Sequence, residues 1–139
     1  MIEQSNLASD KTYKIEKLID SIFDAPNIRA IVVSDENGLP VASKIFTQEA
    51  DDIELIISAV ISTLINTGAK ISEQLKLGLP SNLMMYLEDG MLMIQLIHDR
   101  ACCGLILPSK KYVNIPYFEI KLTEFAKKIK PILFPDEEV

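Results

Sequence analysis

Ile28-Arg29-Ala30-Ile31-Val32-Val33-Ser34-Asp35-Glu36-Asn37-Gly38-Leu39-Pro40-Val41-Ala42-Ser43 is the stretch that decides the fold. Two β-rich runs, Ile28 to Ser34 and Leu39 to Phe46, flank Asp35-Glu36-Asn37-Gly38. Asn-Gly supplies the positive φ angles that tight hairpin turns need, so this is read as a hairpin. Ile31, Val32 and Val33 are consecutive and apolar, which predicts a strand covered on both faces.

On the N-terminal side, Ile15, Leu18, Ile19 and Ile22 recur at helical spacing behind a cap at Ser9 or Asp10. That helix is expected to stop at Asp24-Ala25-Pro26, because the residue before a proline is pushed out of the helical region. Residues 1–9 read as a flexible extension. On the C-terminal side, a helix is expected from about Gln48 to Leu77, capped by Thr47 and favoured by Glu49, Asp51 and Asp52 at its positive end. Gly78 and Pro80 mark its stop. Ile53, Ile56, Ile57, Val60, Ile61, Leu64, Ile71 and Leu75 form one wide apolar stripe that includes Gly68, and Leu55, Ala59 and Ala69 lie off it.

Three strands follow: Leu83 to Leu87, Met91 to Ile97, and Ala101 to Leu107. Glu88-Asp89-Gly90 carries an Asp-Gly turn signal, and His98-Asp99-Arg100 makes the second link. A last helix opens at Asn114-Ile115-Pro116, lines its inner face with Phe118, Leu122, Phe125 and Ile129, and is expected to halt at Pro131. Residues 10–134 thus read as one domain and 135–139 as an acidic tail. The expected fold is an α+β sandwich in the order α-β-β-α-β-β-β-α. It has a five-stranded antiparallel sheet, the long helix on one face and the two terminal helices on the other.

Two features predict self-association. A helix of roughly 28 residues would be about 42 Å long, whereas a strand of five or six residues spans only about 17–20 Å. One narrow sheet leaves part of such an apolar stripe bare. The strand Leu83-Met84-Met85-Tyr86-Leu87 also lacks the charges or proline that blunt an exposed edge. Candidate dimer residues are therefore Ile61, Gly68, Leu83, Met84, Met85, Tyr86 and Leu87. By helical angle Leu55, Ser62, Asn66 and Glu73 lie opposite the main stripe, and they are the candidates for binding another partner.

The 139 residues carry a formal charge of −6, which disfavours a phosphate-backbone ligand, so no nucleic acid is expected. The start Met1-Ile2-Glu3-Gln4 has no basic or apolar leader, and the longest apolar run, Leu55 to Ile65, is interrupted by Ser58, Ser62 and Thr63. A soluble, cytoplasmic chain without membrane insertion is expected. Adjacent Cys102 and Cys103 cannot build a disulfide framework and point to opposite faces of a strand, where packing accounts for them better than thiol catalysis. His98 is read as a turn residue without metal partners. Asp51, Asp52 and Glu54 are read as helix-start charges, and Lys110 and Lys111 as a solvated basic edge. No phosphate-binding glycine loop occurs, so no cofactor is expected.

The first hairpin, together with Leu87-Glu88-Asp89-Gly90, Leu92-Met93-Ile94 and Ala101-Cys102-Cys103-Gly104-Leu105-Ile106-Leu107, resembles the roadblock family of dynein light chains. The likeness covers roughly Lys14 to Leu133 and rests on order and spacing. It implies dimers joined through the long helices and the third strands. It also implies a non-catalytic platform or regulator for small Ras-like GTPases, or alternatively a light-chain-like adaptor within a motor or scaffold. It carries over no active-site residues.

Overall fold

The computed structural model describes residues 2–23, 28–46, 52–108 and 113–137. In chain order the elements are α1 (Ile2–Ile22), β1 (Ala30–Ser34), β2 (Pro40–Ile45), α2 (Ile53–Leu75), β3 (Asn82–Leu87), β4 (Gly90–His98), β5 (Ala101–Leu107) and α3 (Ile115–Leu133), with a final single turn at Pro135–Glu137. The five strands form one antiparallel sheet in the order β2-β1-β5-β4-β3. This is the α+β sandwich expected from the sequence, and its two layers have separate cores. On one face α1 and α3 bury Ile15, Ile19, Phe118, Leu122, Phe125 and Ile129 against Ile31, Val33, Met93, Cys103 and Leu105. On the other, α2 buries Ile57, Ile61 and Ile65 against Ala30, Val32, Ile94 and Cys102.

Several local expectations need correction. Helix α1 begins at Ile2, not at Ser9 or Asp10, since nothing between Ile2 and Asp10 is a glycine or proline that would break it. Its expected stop at Asp24 to Pro26 lies outside the described residues, as do Thr47 to Asp51 and the Lys110–Lys111 edge. Helix α2 has 23 residues, about 34 Å, with Asp52 at the N-cap position making no side-chain cap bond. Lys76 caps its C-terminus in the left-handed conformation, with the Leu77 N–H reaching back to the Ser72 carbonyl at 2.8 Å, and Gly78 just beyond also takes a positive φ. Pro131 sits inside the last turn of α3 without ending it. It falls so near the C-terminus that the helix runs only two residues further, to Leu133. Asn114 caps α3, accepting the Tyr117 N–H at 3.2 Å.

The turns also divide differently. In the first hairpin only Gly38 has positive φ. The Asp35 carboxylate accepts the N–H groups of Asn37 and Leu39 at 2.8 and 3.0 Å and shapes the turn. Gly90 is a strand residue, and a Cβ there would lie 2.9 Å from the Leu107 carbonyl oxygen. The positive φ angles appear at Asp99 (41°) and Arg100 (74°) in the β4–β5 turn, where no glycine stands.

Candidate interaction surface

Helix α2 is placed by a small polar bridge. Ser58 and Ser34 are both fully buried. Ser58 Oγ donates to the Gly38 carbonyl at 3.0 Å and lies 2.9 Å from Ser34 Oγ, whose hydroxyl in turn reaches the Ser58 carbonyl at 3.3 Å. Ser43 on β2 donates to the Glu54 carboxylate at 2.5 Å. Farther along, Ile61 presses into the gap left by Gly104, where a Cβ would meet the Ile61 side chain at 2.7 Å. These contacts seat α2 mainly over β1, β5 and β2, with β4 at its margin.

The single apolar stripe expected on α2 is therefore two. Ile57, Ile61, Ile65 and Ala69 face the sheet together with Ser58 and Ser62, while Ile56, Val60, Ile71 and Leu75 stay exposed, Val60 at 45% and Ile71 at 56%. Leu64 lies half-buried between the two sets. The exposed stripe continues the bare part of the sheet, where Leu83, Met85, Leu96 and Ile106 are only partly buried on the same face. Leu87 is exposed at the end of that row. By length and composition α2 also qualifies as a membrane span. Packing on the sheet on one side and an open apolar side account for that hydropathy.

The candidate residues separate accordingly. Ile61 is fully buried within the protomer and is not available to a second copy. Gly68 is half-exposed, with open space where a Cβ would stand. Leu83, Met84 and Met85 are half-buried, and Tyr86 and Leu87 exposed, along the sheet edge. Among the partner-binding candidates, Leu55 and Glu73 are exposed. Ser62, at 4% exposure, is turned toward the hairpin near Gly38, and half-buried Asn66 reaches back to it with Nδ2 at 3.4 Å from Ser62 Oγ. Those four residues do not make one outward face. The helical angle alone placed Ser62 outside, and the bond between Ser58 and the hairpin rotates that flank inward.

The thiols are inert where they stand. Cys102 packs in the α2 core and Cys103 in the opposite one, as their alternation required. Burial pushes the Cys102 thiol up to about 12 from 9.0. Burial first, and then the neighbouring Cys102, hold Cys103 well above its ordinary value. Neither reaches the thiolate that nucleophilic or redox chemistry needs near neutral pH. His98 is the last residue of β4, not part of the turn, and its ring stacks edge-on against Phe134 at 4.8 Å. Among the described residues no three His, Cys, Asp or Glu side chains gather to hold a metal.

Comparison with known proteins places this architecture. No curated protein sequence matches the chain. MglB of Myxococcus xanthus superposes with a TM-score of 0.76 at 13% identity, over 88% of this chain and 96% of that one. A Roadblock/LC7 domain from Streptomyces avermitilis gives 0.72 at 14% identity, over 88% and 97%. The gliding protein MglB of Thermus thermophilus gives 0.74 at 10%, over 88% and 90%. The Roadblock/LC7 domain profile matches residues 14–106, from the middle of α1 to the end of β5. The chain belongs to the Roadblock/LC7 domain family.

Proposed function

We propose that this chain is a homodimeric protein-binding platform that binds a small Ras-like GTPase and influences its nucleotide cycle without catalysing a reaction itself. The observation that carries the reading is the apolar surface shared by the outer stripe of α2 and the bare β3 side of the sheet. A contiguous exposed apolar area of this kind marks a protein interface, and family membership supplies the class of partner. A second copy covers β3 and part of the α2 stripe, and the GTPase docks on what remains exposed, which includes Leu55 and Glu73. The chain has no phosphate-binding loop, so any change in hydrolysis comes from repositioning the partner's own residues.

The test loads a Ras-like GTPase from the same cell with GTP, adds the protein, and measures binding and turnover. Leu55→Arg is expected to weaken binding while light scattering still reports a dimer. Binding unchanged in that variant moves the GTPase site elsewhere. Binding by no GTPase of that cell returns the chain to a light-chain-like adaptor role.

A further inference from the structure

Among the described residues, the non-glycine positions of positive φ are Lys76 at 57°, Asp99 at 41° and Arg100 at 74°. All of them line one cavity of about 370 Å³ that opens to solvent, and left-handed Gly78 lines it as well. The end of α2 and the linker after it make one wall, and the turn between β4 and β5 makes the other. Asp99 and Arg100 are the two central residues of that turn, closed by the pair His98↔Ala101. Glycine is the usual residue at the second position of such a turn and at the left-handed end of a helix. Arg100 and Lys76 stand there instead. Side chains held in this backbone region gather at functional sites, and here two bases do so around one hollow.

The hollow has the make-up of a small-molecule site. Its volume falls within the roughly 300–1,000 Å³ of ligand pockets. Ala69 and Leu79 give it apolar surface, and four charged side chains stand around it. Each wall supplies an acid and a base, Glu73 with Lys76 on the helix side and Asp99 with Arg100 on the turn side. Among the described residues none of these four enters an ion pair. A lone anion would face Glu73 and Asp99, and a lone cation would face Lys76 and Arg100. A ligand that carries both charges satisfies both sets. The guanidinium fork matches a carboxylate, and the negative end of α2 favours an ammonium group beside Glu73.

Independently of the GTPase reading, we propose that the cavity between the end of α2 and the β4–β5 turn binds a small zwitterion with an apolar body, the chemistry of a free apolar α-amino acid. Arg100 and Lys76 hold its carboxylate, Glu73 and Asp99 hold its ammonium group, and its side chain lies on Ala69 and Leu79.

The test uses the turn's own preference. Glycine accepts a positive φ without cost, so Arg100→Gly removes the guanidinium and keeps the turn. L-Leucine and L-phenylalanine are titrated into the isotope-labelled full chain and followed by NMR at the backbone amides of Ser72, Gly78 and Arg100. The uncharged N-acetyl amides of the same amino acids serve as controls. Saturable shifts are expected with at least one free amino acid and with neither control. Arg100→Gly, melting no lower than the parent, is expected to weaken binding about tenfold, as loss of one charge-assisted hydrogen bond does. Glu73→Gln, at an exposed helix position, is expected to weaken it in the same way from the ammonium side. No saturable shift with either amino acid overturns the proposal. Equal shifts with the N-acetyl amides overturn the zwitterion, and unchanged affinity in both variants overturns the assigned residues.

Discussion

The two edges of the sheet differ in chemistry more than in length. Strand β2 starts with Pro40 and is clamped from both layers. Thr12 of α1 donates to the Val41 carbonyl at 3.0 Å, Lys44 lies 3.4 Å from Asp20, and Ser43 bonds Glu54 of α2. Proline, charge and cover are the usual means of blunting an edge. Strand β3 carries no charge and no proline from Asn82 to Leu87, and α2 packs mainly on β1, β5 and β2. The same chain that protects one edge leaves the other open, and the proposed dimer rests on that contrast.

The largest effect should come from breaking that difference at its open side. Met84→Pro removes an outward-facing N–H without touching the ladder to β4. Light scattering is expected to show a monomer with its circular dichroism retained, whereas Lys44→Ala on the guarded edge should stay dimeric because its half-exposed ion pair contributes little. A persistent dimer in Met84→Pro would place the interface elsewhere. A smaller effect is expected beneath α2. Gly104→Ala drives a methyl into fully buried Ile61 and should cost about 1–3 kcal/mol in denaturant unfolding. Gly68→Ala meets open space and should stabilise the protomer by up to about 1 kcal/mol. A stable protomer with weakened association would show that the helices cross there.

A further effect is confined to alkaline pH. The Cys102 pKa is raised in the fold, to about 12 from 9.0, so the unfolded chain loses its proton first. Stability from the neutral thiol is complete below about pH 9 and declines as pH rises toward about 12. Cys102→Ala should therefore lose less stability than the parent between these limits, and equal slopes would show that the thiol is not what titrates.

Much of this was legible in the sequence because period and punctuation agreed. The alternating and continuous apolar runs named all five strands, and Asn114-Ile115-Pro116 named the last helix. Turn geometry was less legible. Asp-Gly at 89–90 promised positive φ, yet Gly90 serves the close approach of Leu107 and the left-handed pair is Asp99-Arg100. Short links between strongly paired strands are shaped by the ladder on either side, and local propensity yields. Two candidates, Ile61 and Ser62, turned out to be buried, for one reason. A helical wheel with apolar residues over more than half its circumference does not say which side the sheet takes. Ser62, read as polar and outward, faces inward on the flank where Ser34 and the Gly38 carbonyl hold Ser58.

The adjacent thiols have a use beyond packing. One sulfur sits in each layer, on neighbouring residues of β5, so an alkylating reagent reaches Cys102 only when α2 lifts and Cys103 only when α1 or α3 does. Their separate modification rates form a two-channel record of which layer opens first. Seating a partner on α2 should slow the Cys102 channel and leave the other at its own pace.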